Sequence, residues 1–265
     1  MRHVWWLLVL FGFSVVLERR VVAEGEVLLP PKGSSFTYKV VVEGKKAATM
    51  TLWEEPGTRL ETHTFLGIVK GFRPKIEGLS ESLPVRDCIH WMVTRPGQKG
   101  YRADFYYALE SSSIRLYFEQ TSDGGMAFYE DPLPVLVFPF KAGKTFSGKS
   151  AFYLSMPDTG VALMHEYRSK DIKSDTIEGS VRMVETRVAN VEAGAFLCMN
   201  TLSVFEAKTG RLFSSARTKV EMERFWSEDL RYFVKEHSRI RMDAMIDSEG
   251  TIERELLKFS QDGRN

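Results

Sequence analysis

The chain has almost no net charge: 36 Lys and Arg stand against 35 Asp and Glu in 265 residues, a formal balance of +1. No global field draws it to nucleic acid or acidic lipid. Cysteine is nearly missing, with Cys88 and Cys198 the whole supply, so one disulfide is the most the chain can form. Metal-ligand spacing is missing as well. His63, His90, His165 and His237 are scattered, with no His-x-x-x-His or Cys-x-x-Cys, and a zinc site has no local support. Gly78-Leu79-Ser80-Glu81-Ser82 lacks the closing glycine of a nucleophile elbow. No glycine-rich loop leads from a strand into a helix, which removes the common nucleotide sites. No metal, no cofactor and no enzymatic activity are expected; a hydrolase is the weakest of the functional alternatives.

What is present begins with the N-terminus. Arg2 and His3 precede an apolar run from Val4 to Leu17, followed by Glu18-Arg19-Arg20 and Val21-Val22-Ala23. A basic start, an apolar core of this length and small residues before a cut after Ala23 describe a secretory leader, residues 1–23. The run is short for a spanning helix, which needs about 20 apolar residues. No cysteine flanks the cut, so the mature protein, residues 24–265, is expected without a lipid or a permanent membrane anchor, periplasmic or extracellular. In an oxidising compartment a Cys88–Cys198 bridge is one reading. Two separately buried thiols is the other, since both cysteines sit in apolar company.

Composition is that of an ordinary globular protein, with 43% hydrophobic and 27% charged residues. The recurring signal is period-two alternation between turn clusters. It is clearest where Ile240, Met242, Ala244 and Ile246 alternate with Arg239, Arg241, Asp243 and Asp247. Similar segments are Phe36–Val42, Ala48–Glu54, Tyr101–Leu109, Ile114–Glu119 and Ala162–Tyr167, then Val181–Val188, Ala195–Phe205, Leu212–Trp226 and Ile252–Phe259. Turn signals such as Glu55-Pro56-Gly57, Arg95-Pro96-Gly97 and Asp123-Gly124-Gly125 separate them. Strands that follow one another so directly predict an antiparallel meander. Only Lys75–Leu83 and Glu228–Val234 offer helix. Strands beyond ten residues curl, so the expected fold is all-β: one strongly curved antiparallel sheet forming a half-barrel or open barrel. Leu29-Pro30-Pro31-Lys32-Gly33 before Phe36 is echoed by Phe138-Pro139-Phe140-Lys141-Ala142-Gly143 before Phe146. The echo admits two pseudo-repeated halves, 24–135 and 136–265, within a single β-rich domain, and shared turn chemistry explains it equally well.

Three landmarks carry a family resemblance. Phe138-Pro139-Phe140-Lys141-Ala142-Gly143-Lys144-Thr145-Phe146, Val191-Glu192-Ala193-Gly194-Ala195-Phe196-Leu197-Cys198 and Phe225-Trp226-Ser227 through Lys235 resemble successive motifs of a bacterial exported β-protein family known as a domain of unknown function. The likeness spans Leu133 to Phe259. Phe146 stands where that family has Trp, and Ser227–Arg231 lacks its proline and glycine. That group resembles in architecture the LolA/LolB periplasmic carriers, which implies a bent sheet with a concave apolar face. It assigns no ligand residue to this chain.

Aromatic side chains are the best material for a site. On a curved sheet Trp53, Trp91, Phe105 and Tyr107 are expected near the concave side, as are Phe118, Phe146, Phe225 and Trp226. Each alone reads as core; together they predict an apolar groove for a lipid or acyl chain. The expected function is an exported binding protein for an apolar ligand. The alternative is an envelope interaction module that binds a protein partner through sheet edges.

Overall fold

In a computed structural model, residues 29–44, 47–48, 53–54, 56–76, 83–155, 176–211, 214–243 and 248–261 are described. The leader and the segment Ala162–Tyr167 lie outside them. The elements, all strands, are β1 (Ser35–Gly44), β2 (Ala47–Ala48), β3 (Trp53–Glu54), β4 (Gly57–Phe72), β5 (Arg86–Thr94), β6 (Arg102–Glu110) and β7 (Ser113–Thr121). They continue as β8 (Met126–Val137), β9 (Thr145–Ser155), β10 (Thr176–Val191), β11 (Gly194–Arg211), β12 (Ser214–Ser227), β13 (Tyr232–Asp243) and β14 (Ser248–Ser260). The antiparallel all-β expectation holds among the described residues.

The open half-barrel does not. β4 to β14 form an antiparallel up-and-down run, and β1 pairs with β14 on one side and β4 on the other, closing a twelve-stranded barrel. β2 and β3 form a separate small sheet in the excursion between β1 and β4. Closure follows from curvature. β4 and β10 run 16 residues and β11 runs 18, and irregular pairings at Thr37/Tyr38, Phe65/Gly67, Tyr106/Tyr107 and Met183/Glu185 bend the wall further. The expected boundary between halves falls inside β8, so both stretches build one barrel. The two echoed segments are both turns before a strand, with Gly33 at φ 91° and Gly143 at φ 82°, where a Cβ would be strained.

Inside and outside follow from register. On β1, Phe36, Tyr38, Val40 and Val42 point inward and are buried, while Lys39 and Glu43 face water. The outer faces of β12 to β14 carry Lys219, Glu221, Arg239 and Arg241, with Lys219 2.7 Å from Glu221 and Arg241 3.3 Å from Glu249. Such a wall suits water, because Arg or Lys turned to lipid at mid-membrane costs about 2–4 kcal/mol. A second apolar cluster lies outside the barrel. Ile76 and Leu83 pack there with Cys88, Tyr117, Phe118 and Phe128. The Tyr117 hydroxyl donates to the Pro84 carbonyl.

Four strands escape the alternation rule, each for a physical reason. β5 is buried on both faces, with Cys88 outward under the second cluster and Ile89 inward. β8 contains Pro132 and Pro134, which read as breakers. β9 is rich in small polar residues. β4 turns charged residues inward, so its pattern is inverted. The helix expected at Glu228–Val234 is instead the β12–β13 turn, with Arg231 at φ 56°, followed directly by strand. Most of Lys75–Leu83 lies outside the described residues; the described part contains no helix.

Candidate functional site

The barrel interior is polar on one side. β4 presents Arg59, Glu61 and His63 inward, opposite Val40, Tyr38 and Phe36 of β1. β12, β13 and β14 bring Arg224, Glu236 and Arg254 into one cross-strand row. Glu61 Oε1 accepts from Arg59 Nε at 3.0 Å and Arg95 Nε at 3.1 Å, and its Oε2 accepts from Arg254 Nε at 3.1 Å. Arg254 Nη1 also donates to Glu236 Oε1 at 2.5 Å, and Arg224 Nε to Glu236 Oε2 at 2.6 Å. Ser238 Oγ completes the shell of Glu236 at 3.1 Å. Twelve strands enclose more width than aliphatic side chains fill, and long arginines and aromatics occupy it.

Burial alone would push both carboxyls up. Arg224 and Arg254 outweigh it at Glu236 and hold its pKa down to about 2. Arg254, the His63 contact and Arg95 do the same at Glu61, whose carboxyl lies well below the usual range. Burial lowers His63 despite Glu61 beside it, leaving a neutral imidazole. His63 Nδ1 lies 3.0 Å from the Tyr232 hydroxyl, and burial raises that phenol far above 10, so the hydroxyl keeps its proton. His63 Nε2 is buried without a hydrogen-bond partner, 3.7 Å from Glu61 Oε2.

A cavity of about 150 Å³ opens over this row. Glu61, His63, Arg224, Glu236 and Arg254 border one part of it. Phe105, Tyr107 and Leu116 border it from β6 and β7, and Phe205 and Met222 from β11 and β12. β6 to β8 stand across the barrel from β12 to β14 in strand order. Among the described residues that line the far side, the carboxylate is Glu119, which accepts from the Tyr129 hydroxyl at 3.0 Å.

Of the eight expected aromatics, Phe105 and Tyr107 line the cavity. Trp91 stacks on Tyr232 at 3.8 Å, and Trp226 meets the same ring edge-on at 5.8 Å; these two tryptophans are packed core beside the cavity. Phe146 is partly buried against the interior cluster, opposite Val181. Phe118 belongs to the cluster outside the wall. Phe225 is buried in the interior cluster, beneath the Arg187 guanidinium at 4.5 Å. The Trp53 side chain lies outside the described residues. The seven described side chains do not form one groove: Phe118 falls on the outer face, because a strand sends alternate side chains to opposite faces, and most of the others are packed core.

The cysteine bridge is corrected too. Cys88 and Cys198 are free, buried thiols, one in the outer cluster and one in the interior cluster. They sit on β5 and β11, with five strands between them either way round the barrel. At about 4.8 Å per strand that is far beyond disulfide reach. Burial pushes their pKa values up to about 12 and about 11.

Sequence reasoning missed the whole polar row. The one signal was Arg59, Glu61 and His63 at alternate positions ending in Phe65, which period two assigns to water. No group of three metal-ligating side chains occurs among the described residues.

No family model and no curated protein matches the chain. Two solved structures are similar. One, from Bacteroides fragilis, is provisionally described as an exported protein with a YmcC-like fold; it is 11% identical, with 89% of this chain and 99% of that one covered and a TM-score of 0.43. The other, from Parabacteroides distasonis, is provisionally described as a lipoprotein; it is 8% identical, with 90% and 100% covered and a TM-score of 0.42. Likeness at this level carries no inference about the function of this chain.

Proposed function

We propose that this chain is an exported, non-catalytic binding protein that encloses one compact, mostly apolar molecule inside its barrel. The observation that carries the reading is the cavity, with Phe105, Tyr107 and Leu116 of β6 and β7 as an apolar wall across from the polar row, and Met222 of β12 beside that row. A few convergent polar groups in an apolar pocket are the ordinary composition of a small-molecule site. Its size favours a single ring-sized body over an acyl chain, since about 150 Å³ is what a benzene-sized guest occupies. Export is supported by the leader at residues 1–23. A binding role is favoured over acid–base chemistry because Glu61 and Glu236 are each tied to arginines. Closure of the barrel, where each wall strand has a neighbour on both sides, favours the enclosed-ligand reading over the sheet-edge alternative.

Native mass spectrometry of the protein purified from its own envelope, with a thermal-shift screen of small aromatic and aliphatic compounds, tests the proposal. A co-purifying small molecule, or stabilisation by ring-sized compounds that Leu116→Trp abolishes, is expected. A protein that emerges empty and is stabilised by none of them overturns it.

A further inference from the structure

His63 and Glu61 both line the cavity, and His63 Nε2 and Glu61 Oε2 lie 3.7 Å apart, buried at its edge. His63 is 7% exposed and its Nε2 has no hydrogen-bond partner among the described residues. Glu61 Oε1 already accepts from two arginines, whereas among the described residues Oε2 accepts from Arg254 alone. A carboxylate oxygen has two acceptor sites, so Oε2 retains one. The tautomer of His63 follows from its neighbours. A lone pair on Nε2 would face the Glu61 carboxylate, whereas an N–H is attracted to it; Tyr232, which keeps its phenolic proton, donates to Nδ1 on the other side. The pair therefore offers one donor and one acceptor 3.7 Å apart, too far to bond well to each other.

We infer that the ligand is a neutral hydroxyl compound with a compact apolar body, a phenol or small alcohol, whose O–H sits between His63 and Glu61. This rests on the binding role proposed for the barrel and names its ligand class. A hydroxyl accepts from Nε2–H and donates to Oε2 with the same oxygen, and a point about 2.8 Å from both atoms exists when they are 3.7 Å apart. A carboxylate has no proton for Oε2 and would meet the charge of Glu61. An ammonium has no lone pair for Nε2–H and would enter a site already holding Arg59, Arg95 and Arg254. A hydrocarbon leaves both positions unpaired, which buried polar groups tolerate poorly. The rest of the molecule would lie against Phe105, Tyr107 and Leu116.

The test uses the full mature protein and four ring-sized probes, phenol, toluene, benzoate and benzylamine, followed by calorimetry and by the ring ¹⁵N–¹H spectrum of His63. Phenol is expected to bind about tenfold or more tightly than toluene, its isostere without the hydroxyl, with benzoate and benzylamine weaker still. The spectrum should show a proton on Nε2 that shifts with phenol and not with toluene. In His63→Phe, and in His63→Gln as a second variant with folding checked by circular dichroism, the preference should shrink to near unity while toluene affinity persists. Equal binding of phenol and toluene overturns the hydroxyl site and leaves the binding role intact, as does a proton found on Nδ1 or a preference for benzylamine. Phenol affinity unchanged in both variants means that water alone occupies the pair, and it overturns the site too. Binding of none of the four overturns both.

Discussion

Glu236 holds two guanidiniums in place with one carboxylate, and removing its charge takes the counter-ion from buried Arg224 and one of two carboxylate contacts from Arg254. Breaking one partner of a buried ion pair costs about 3–5 kcal/mol, so Glu236→Gln is expected to lower unfolding stability by roughly 3 kcal/mol in urea titrations. The same residue sets an acid limb. Its carboxyl titrates at about 2 in the folded protein against a usual 4.5, so the unfolded chain takes up the proton first. The stabilisation is complete above pH 4.5 and is lost as pH falls toward 2, an effect of about 3 kcal/mol. Glu61, also depressed, deepens the same limb. His63 is lowered from 6.5 by burial; here too the unfolded chain binds the proton first, so stability starts to decline as pH drops below 6.5. Urea midpoints from pH 7.5 to pH 3 should show both declines, and Glu236→Gln should flatten the lower one.

Pairs of strands impose their own conditions. On β10, Gly179 faces Phe205 of β11, and a Cβ there would sit 2.6 Å from a ring carbon. Phe205 borders the cavity, so Gly179→Ala must push the ring off its seat. Overpacking of this kind costs about 1–3 kcal/mol, and it should also weaken binding of any ring-sized guest in the same calorimetric assay. β5 gives a second test. Cys88 lies in the outer cluster with Ile76 and Leu83, and Cys198 lies in the interior cluster, both with thiols raised by burial. Neither should react with a thiol reagent in the native protein, and both should react in urea without added reductant. A single reactive thiol, or none, under denaturing conditions would contradict the two-thiol structure.

The whole molecule depends on closure between its two ends. β1 pairs with β14 from Ser35↔Ser260 to Gly44↔Gly250, and Arg254 on β14 bonds Glu61, which is 193 residues earlier in the chain. Removing residues 248–265 therefore deletes a wall strand, bares two sheet edges and frees the Glu61 and Glu236 carboxylates from their shared arginine. Exposed edges pair with other chains, so the truncated protein is expected to elute as large aggregates in size-exclusion chromatography, while the full mature chain elutes discretely. Elution of the truncated protein as a discrete folded species would show that closure is dispensable.

Alternation of apolar and charged residues by itself determined that this chain is antiparallel β, because a strand with one wet face must alternate, and it placed the outward charges of β13 and the turns ending in Gly33 and Gly143. It also made Phe105 and Tyr107 candidates. The remaining candidates were beyond its reach, since alternation says that two faces differ and not which one is inside: Phe118 is apolar and outward, while Glu61 and His63 are polar and inward. Only the tertiary structure decided closure, the separation of Cys88 from Cys198, and the meeting of Arg224, Glu236, Arg254 and Glu61. Each depends on register between strands far apart in the chain, where a charge that reads as water-facing is kept inside by partners that local sequence does not show.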